Sequence, residues 1–426
     1  MQRSLVGSEM CIRDRNRSNF IKGNQNRERS CNCRRICSNK RCSLKLYGSR
    51  KSGAYNTERY TLEIDMITEM VGTSECTGCG GCYQICPRNA IEMKPDRKGF
   101  LYPQVLKEKC SECGLCKKVC PVIKDICINE YDTVAYAAWS KNEKIRYCST
   151  SGGVFTEIAN YVIENGGCVV GAKYADNHLV EHSIIFEKDD IGLLRQSKYV
   201  QSNLGNIFKE VKSQLQLGKN VLFVGTPCQC VALSKFLGGD NEKLTLCDFI
   251  CRGVNAPNAY MAYLQELEER YQSEIQKVWF KNKKHGWNHF GTKIIFANGE
   301  EYYAQRNDDP FMYGYIKKEL NLYMRSCCNQ CKFKGISRAT DLTLGDFWGY
   351  KVDVNEKDYG VSAVMVHSSK GEKILEAVNS LHKELHTIDE IIKGNICLEK
   401  SAQKSEYSDY FWTVSYTHLT LPTKLE

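Results

Sequence analysis

The sequence holds no apolar run approaching the roughly 20 residues that a membrane-spanning helix needs, and no short apolar segment follows a basic start as in a signal peptide. A cytoplasmic protein without a membrane span is expected. A third absence is masked by the formal net charge of +9. Residues 1–60 carry 15 Lys+Arg against 4 Asp+Glu, whereas the remaining 366 residues carry 44 against 46, a net of −2. The body therefore lacks the basic excess of a nucleic-acid-binding protein, and no nucleic-acid partner is expected. A length of 426 residues with 42% hydrophobic residues leaves room for two or three globular domains.

Residues 1–65 lack any helical or strand period and alternate Arg, Asn, Ser and Lys. So polar a segment cannot bury enough apolar surface to offset its ordering entropy, which predicts a disordered tail. Both extremities, SLVGSEMCIRDR at the start and TVSYTHLTLPTKLE at the finish, resemble translated sequencing-adaptor sequence, so a natural start near Met66 is expected and residues 413–426 read as artefactual. The alternative is a basic arm or a zinc knuckle, but Cys31, Cys33, Cys37 and Cys42 match no usual zinc spacing.

What is abundant is cysteine, 24 in all, nineteen of them beyond the tail. In a long chain without an export signal, such cysteines are more often metal ligands or catalytic thiols than disulfide staples. Their spacing is informative. Cys76, Cys79, Cys82 and Cys86-Pro87 recur 34 positions later as Cys110, Cys113, Cys116 and Cys120-Pro121. Three cysteines at three-residue intervals wrap three corners of a cubane, and the fourth serves the other cluster in two-cluster ferredoxins. One [4Fe–4S] cluster would then take Cys76, Cys79, Cys82 and Cys120, the other Cys110, Cys113, Cys116 and Cys86, with Gly78, Gly80, Gly81 and Gly114 letting the loops fold back. The alternative of two structural zinc sites fits less well, since zinc ribbons separate two cysteine pairs by a hairpin. Residues 66–128 are thus read as an α+β, ferredoxin-like two-cluster domain.

Beyond Asp132, strand-like runs at 133–139, 167–174, 220–225 and 243–251 alternate with helical patterns at 154–165 and 231–237. That alternation predicts a larger α/β domain over 133–395 with some parallel pairing, followed by a C-terminal tail over 396–426. MYGYIKKELNLYM (312–324) reads as a further helix. Ser149-Thr150-Ser151-Gly152-Gly153 precedes a helix and is either a phosphate-binding entry or an ordinary N-cap with a turn. Gly225-Thr226-Pro227-Cys228-Gln229 ends a strand and opens a helix, the ligand-facing edge of an α/β sheet. Cys228 is there a metal ligand, an activated thiol or an inert core residue. Cys251 ends the next strand, so it should reach the same edge. With Cys328 and Cys331 these make a candidate four-thiolate site for a third cluster; scattered buried cysteines are the alternative. Cys327 is the substitute for Cys328, Cys247 lies too deep in its strand, and Cys230 should point away. His285 and His289 read as surface or anion-contact groups beside Lys281, Lys283 and Lys284. Asp341 and Asp346 read as metal ligands, base-orienting groups or turn caps.

At STSGGVF (149–155), SKYVQS (197–202), GTPCQ (225–229), DFICRGV (248–254), FKNKKHGW (280–287), SCCNQCKFK (326–334) and RATDLTLGDFWG (338–349), the chain resembles the coenzyme F420 hydrogenase/dehydrogenase beta subunits, in the form fused to an amino-terminal ferredoxin. The resemblance covers roughly residues 70–395. It implies a flavin-binding α/β domain that holds FAD and its own cluster, with Ser151, Gly152, Gly153, Lys198, Tyr199, Gln201, Thr226 and Gln229 as flavin contacts. Arg252 stands where members often have His, and Cys327 where Ser is usual. The implied activity is an oxidoreductase of an anaerobic or microaerobic microbe, relaying electrons between [4Fe–4S] clusters and FAD to a deazaflavin or another small acceptor. The alternative is a non-catalytic electron-transfer subunit of a larger hydrogenase, dehydrogenase or reductase; either way a redox partner protein or small acceptor is implied.

Overall fold

The computed structural model describes residues 67–123, 128–351 and 357–419. The expected disordered tail (1–65), the expected domain start at residue 66 and the cysteines Cys11, Cys31, Cys33, Cys37, Cys42 and Cys127 lie outside the described residues. Among the described residues no helix is long and apolar enough to cross a membrane.

Residues 67–123 form a small α+β unit. Two antiparallel strands, β1 (Ile91–Pro95) and β2 (Leu101–Val105), pair with Ile91 opposite Val105. Each cysteine repeat ends in a one-turn helix, Gly81–Ile85 and Leu115–Val119, entered through Gly80 (φ 66°) and Gly114 (φ 71°). These left-handed entries are strained for any residue bearing a Cβ, so glycine lets both loops close.

The larger α/β domain is built on a mixed eight-stranded sheet. In chain order its strands are β3 (Val134–Ser140), β4 (Cys168–Tyr174), β5 (Val180–Ile185), β6 (Val221–Val224), β7 (Leu244–Phe249), β11 (Leu342–Asp346), β12 (Ser362–Val366) and β13 (Leu381–His386). Their order across the sheet is β13-β3-β12-β11-β7-β6-β4-β5. The central four, β11, β7, β6 and β4, run parallel, and antiparallel pairs flank them. Parallel strands must be covered on both faces, and these are almost wholly apolar: Val221, Leu222 and Phe223 of β6 are at most 1% exposed. A separate three-stranded antiparallel sheet, β8 (Ile275–Asn282), β9 (Gly291–Phe296) and β10 (Glu301–Gln305), packs an aromatic-rich core around Phe280, Phe296 and Phe311.

Three elements differ from the sequence reading. The helix expected at 231–237 begins at Pro227. Proline suits the first helical position, and the Gln229 side chain reaches back to accept from Thr226 N at 2.9 Å. The helix expected at 312–324 stops at Ile316, where Asn321 (φ 35°) turns the chain and Leu322 N bonds back to Gly314 O. The segment read as a C-terminal tail packs on the body: Glu406–Leu419 is helical, Trp412 is 4% exposed, and its indole donates to Leu322 O at 3.2 Å. Residues 420–426 of the expected artefactual end lie outside the described residues.

Candidate functional site

Three cavities, each walled by four or five cysteines, follow one another, the first and second sharing Ile67 and the second and third Thr77. The outermost is lined by Cys86, Cys110, Cys113 and Cys116, with Cys113 exposed. The middle one is lined by Cys76, Cys79, Cys82 and Cys120. Each repeat thus sends its last cysteine to the other repeat's cavity. Amides point at sulfur in both: Gly78 N to Cys76 Sγ at 3.4 Å, and Ala90 N to Cys86 Sγ at 3.3 Å. The third cavity is walled by Cys228, Cys251, Cys327, Cys328 and Cys331.

The sheet explains this third convergence. β6 and β7 lie side by side, Val224 opposite Cys247, so the segments leaving them emerge at one edge. Cys228 sits in the first turn of the helix after β6, and Cys251 two residues beyond β7. Cys328 and Cys331 arrive on the 3-10 turn Ser326–Gln330 and its end. Cys230 points away, its sulfur near Gly225 O and Cys247 O, and Cys247 is buried within β7. Cys327 hydrogen-bonds Cys328; the bond holds the Cys328 thiol down to about 7 and pushes Cys327 up. Cys328 is therefore the better thiolate of the two.

Burial pushes the Cys79 and Cys251 thiols up to about 12 and the Cys228 thiol well above its ordinary value. Such thiols stay protonated when free and lose the proton only to a metal. Each of the three cavities brings together four or five thiols, the donor set that a four-iron cube takes, and amides reach a sulfur in two of them.

The residues expected to hold a flavin divide into two groups. Gln201, Thr226 and Gln229 line the third cysteine cavity. Gln229 is fully engaged, its amide donating to Ser202 Oγ at 3.0 Å, so it reads as a wall of that cavity. Ser151, Gly152 and Gly153 form the entry to the helix Val154–Glu164, which has no side-chain N-cap. Ser151 Oγ donates to Val361 O, and Gly152 N to Ser362 Oγ. The neighbouring Thr150 accepts from Ser197 N at 2.9 Å, which brings Lys198 and Tyr199 to the same region. Lys198 is half-buried, donates to Arg195 O at 2.9 Å, and is pushed down to about 7 by desolvation. Tyr199 packs against Tyr315 at 5.3 Å, and Gln201, two residues on, reaches the cysteine cavity.

Several residues were missed or misread from sequence. Lys281 and Lys283, noted from sequence only as neighbours of His285 and His289, are 6% and 2% exposed. Lys281 pairs with Asp346, which also accepts from Trp287 Nε1 at 2.8 Å. Lys283 donates to Ser151 O at 2.7 Å, and burial pushes it down to about 7. Lys283 thus pins the STSGG segment through Ser151 O and Arg146 O, while the Lys198 ammonium is held by the carbonyls of Arg195 and Gln196. Asp341 binds Leu246 N and Ser368 Oγ and acts structurally. His285 and His289 are exposed.

Arg325 had no sequence signal beyond standing next to the SCCNQC motif. It is 0% exposed and donates to Cys76 O at 2.8 Å, Gln201 Oε1 at 2.7 Å and Leu101 O at 3.0 Å. Its guanidinium lies 4.1 Å from the Tyr102 ring. Gln201 Nε2 in turn donates to Thr77 O at 3.2 Å. The packing is close: a Cβ on Gly78 would lie 2.4 Å from Gln201 Nε2. Thr77 lines both the middle and the inner cavity, so this clasp joins the two cysteine sites.

Comparison with known proteins agrees with this layout. Residues 75–123 match the 4Fe-4S dicluster domain family. In the family of coenzyme F420 hydrogenase/dehydrogenase beta subunits, residues 135–209 match the N-terminal part and 218–391 the C-terminal part. The chain is 25% identical over 377 residues to the coenzyme F420-dependent sulfite reductase of Methanocaldococcus jannaschii, covering 82% of this chain and 54% of that protein. It thus spans about half the length of that relative. It is also 25% identical over 321 residues to an F(420)H(2) dehydrogenase subunit of Methanosarcina mazei, covering 73% of this chain and 84% of that one. A chain of the F420-reducing [NiFe] hydrogenase complex from Methanosarcina barkeri aligns with a TM-score of 0.41 and 16% identity, over 63% of this chain and 91% of that one. With a dicluster domain ahead of both matched parts, the chain belongs to the family of coenzyme F420 hydrogenase/dehydrogenase beta subunits.

Proposed function

We infer that this chain is an iron–sulfur flavoprotein oxidoreductase that passes electrons between [4Fe–4S] clusters and FAD, on to a deazaflavin or another small acceptor. The observation that carries this reading is the succession of three cysteine-walled cavities, the inner two sharing Thr77. Clusters move one electron at a time, and a flavin converts single electrons into two-electron chemistry. The chain's own residues supply the rest. Cys76, Cys79, Cys82 and Cys120, then Cys86, Cys110, Cys113 and Cys116, would hold the two outer clusters. Cys228, Cys251, Cys328 and Cys331 would hold the third, with Cys327 donating to Cys328. Ser151, Gly152, Gly153, Lys198 and Tyr199 would hold the flavin, and Gln201, Thr226 and Gln229 would separate it from the third cluster.

A second reading, an electron-transfer subunit within a larger complex, is favoured by the relative from Methanosarcina mazei, which is itself part of a dehydrogenase. Anaerobically reconstituted protein should contain about twelve irons and release an adenylated flavin. Cys331→Ala should lose about four irons and keep both ferredoxin centres visible. Unchanged iron in that variant would reject the third cluster; FMN, or no flavin, would reject the FAD assignment. Turnover of an acceptor by the isolated chain with a low-potential donor separates the enzyme from the electron-transfer component.

A further inference from the structure

The three cavities differ in charge. No charged side chain lines the middle one. The outer one is lined by one of each sign, Glu112 and Lys117. The inner one is lined by Arg252, Lys334 and Arg338 and by no carboxylate. These cations are held in place by the cavity's own frame. Lys334 Nζ donates to Cys251 O, the backbone of a cavity cysteine, and to Cys397 O. Arg338 is 5% exposed, donates to Phe333 O and pairs with the buried Asp248 at 3.7 Å, which offsets part of its charge. Arg252 Nε is buried without a hydrogen-bond partner, and its guanidinium stacks 5.6 Å from Tyr315. Arg325, 0% exposed, adds a fourth cation, bonded to the backbone of Cys76 on the middle site's loop.

A cluster ligated by four thiolates is an anion that gains a further negative charge when it takes up one electron. Nearby cations in a poorly solvated site favour that reduced state, since charge and hydrogen bonding around the sulfurs set the potential. On the three-cluster reading above, we propose that Arg252 and Lys334, with no carboxylate lining the cavity beside them, make the inner cysteine site the most readily reduced of the three, so that electrons run inward. The transfer balances simply. One electron leaves the middle site and one enters the inner site, no bond is broken and no proton is needed. A low-potential one-electron donor replaces the electron through the outer site, whose Cys113 is exposed. Arg325 is the positioning residue between the two sites, a counter-charge they share.

An EPR-monitored potentiometric titration of the full-length holoprotein tests this. The first centre to reduce should be the one missing from Cys331→Ala. Lys334→Met should keep its iron and both ferredoxin centres, while the reduced-to-oxidised ratio of the inner centre at fixed potential falls at least tenfold, about 59 mV for one electron. Arg325→Met should lower the inner and middle centres together, and Arg325→Lys should restore most of the shift. Should Arg325→Met fail to fold, Lys334→Met still decides the matter. The proposal is overturned if the first-reduced centre survives in Cys331→Ala, or if Lys334→Met leaves the inner midpoint where it was. Unchanged iron in Cys331→Ala would instead overturn the three-cluster reading, and this inference with it.

Discussion

Replacing Gln201 with leucine removes the clasp between the ferredoxin unit and the α/β domain while nearly preserving volume. Two bonds go: the one accepted from Arg325 at 2.7 Å and the one donated to Thr77 O at 3.2 Å. A hydrogen bond to a charged group contributes about 1.5–3 kcal/mol and a neutral one about 0.5–1.5 kcal/mol, so the clasp should weaken by roughly 2–4 kcal/mol. The upper part of that range is expected, because Arg325 is 0% exposed and water cannot easily replace the lost acceptor. In population terms, local opening at the junction should become about 30- to 1,000-fold more frequent. Amide hydrogen exchange under anaerobic conditions, followed in peptides covering residues 72–82 and 322–332, reads this directly. Gln201→Glu keeps a partner for Arg325 and loses only the Thr77 bond, so it should recover most of the protection. Exchange in Gln201→Leu within threefold of the parent protein would show that the clasp contributes little and that apolar packing holds the units together.

Two further outcomes are expected. His182 and His367 are buried neutral, and desolvation pushes them down to about 4 and about 3. Their unfolded pKa is about 6.5, so the stability they contribute is complete above that pH and is lost as pH falls, by roughly 2 kcal/mol each at pH 5. Asp248, raised to about 6 by burial, works in the opposite sense and offsets part of this; denaturation midpoints should still fall from pH 7 to pH 5, and a rise would contradict the burial of both rings. Trp412→Ala should destabilise the fold by about 3–5 kcal/mol; a thermal inactivation half-life unchanged from the parent protein would refute the packing of its ring.

What could be read from sequence followed the range of each interaction. The eight cysteines of the ferredoxin unit repeat with one spacing, and the rule for two-cluster ferredoxins, rather than local spacing alone, paired Cys120 with Cys76 and Cys86 with Cys110. The meeting of Cys228 and Cys251 at one cavity was readable because each follows one of two neighbouring parallel strands. Arg325, Lys281 and Lys283 escaped notice because a lysine or arginine at the end of an apolar run normally marks the surface. Their partners lie far away in sequence: Cys76 for Arg325, Asp346 for Lys281 and Ser151 for Lys283. The packing of Trp412 was hidden similarly, since its pocket, between Lys98 and Leu322, is assembled from two distant segments.

The crossed placement of Cys86 and Cys120 has a consequence for biogenesis. Because each repeat completes the other's cavity, neither 34-residue half is a self-sufficient receptor for iron and sulfide. A delivery system would meet two half-built sites, and filling either one draws both halves of the unit together. The second filling then starts from a chain already closed, so the loop entropy is lost once rather than twice. Maturation should accordingly be all-or-none, with one-cluster intermediates short-lived, and a lesion confined to one repeat should be felt in the yield of both clusters.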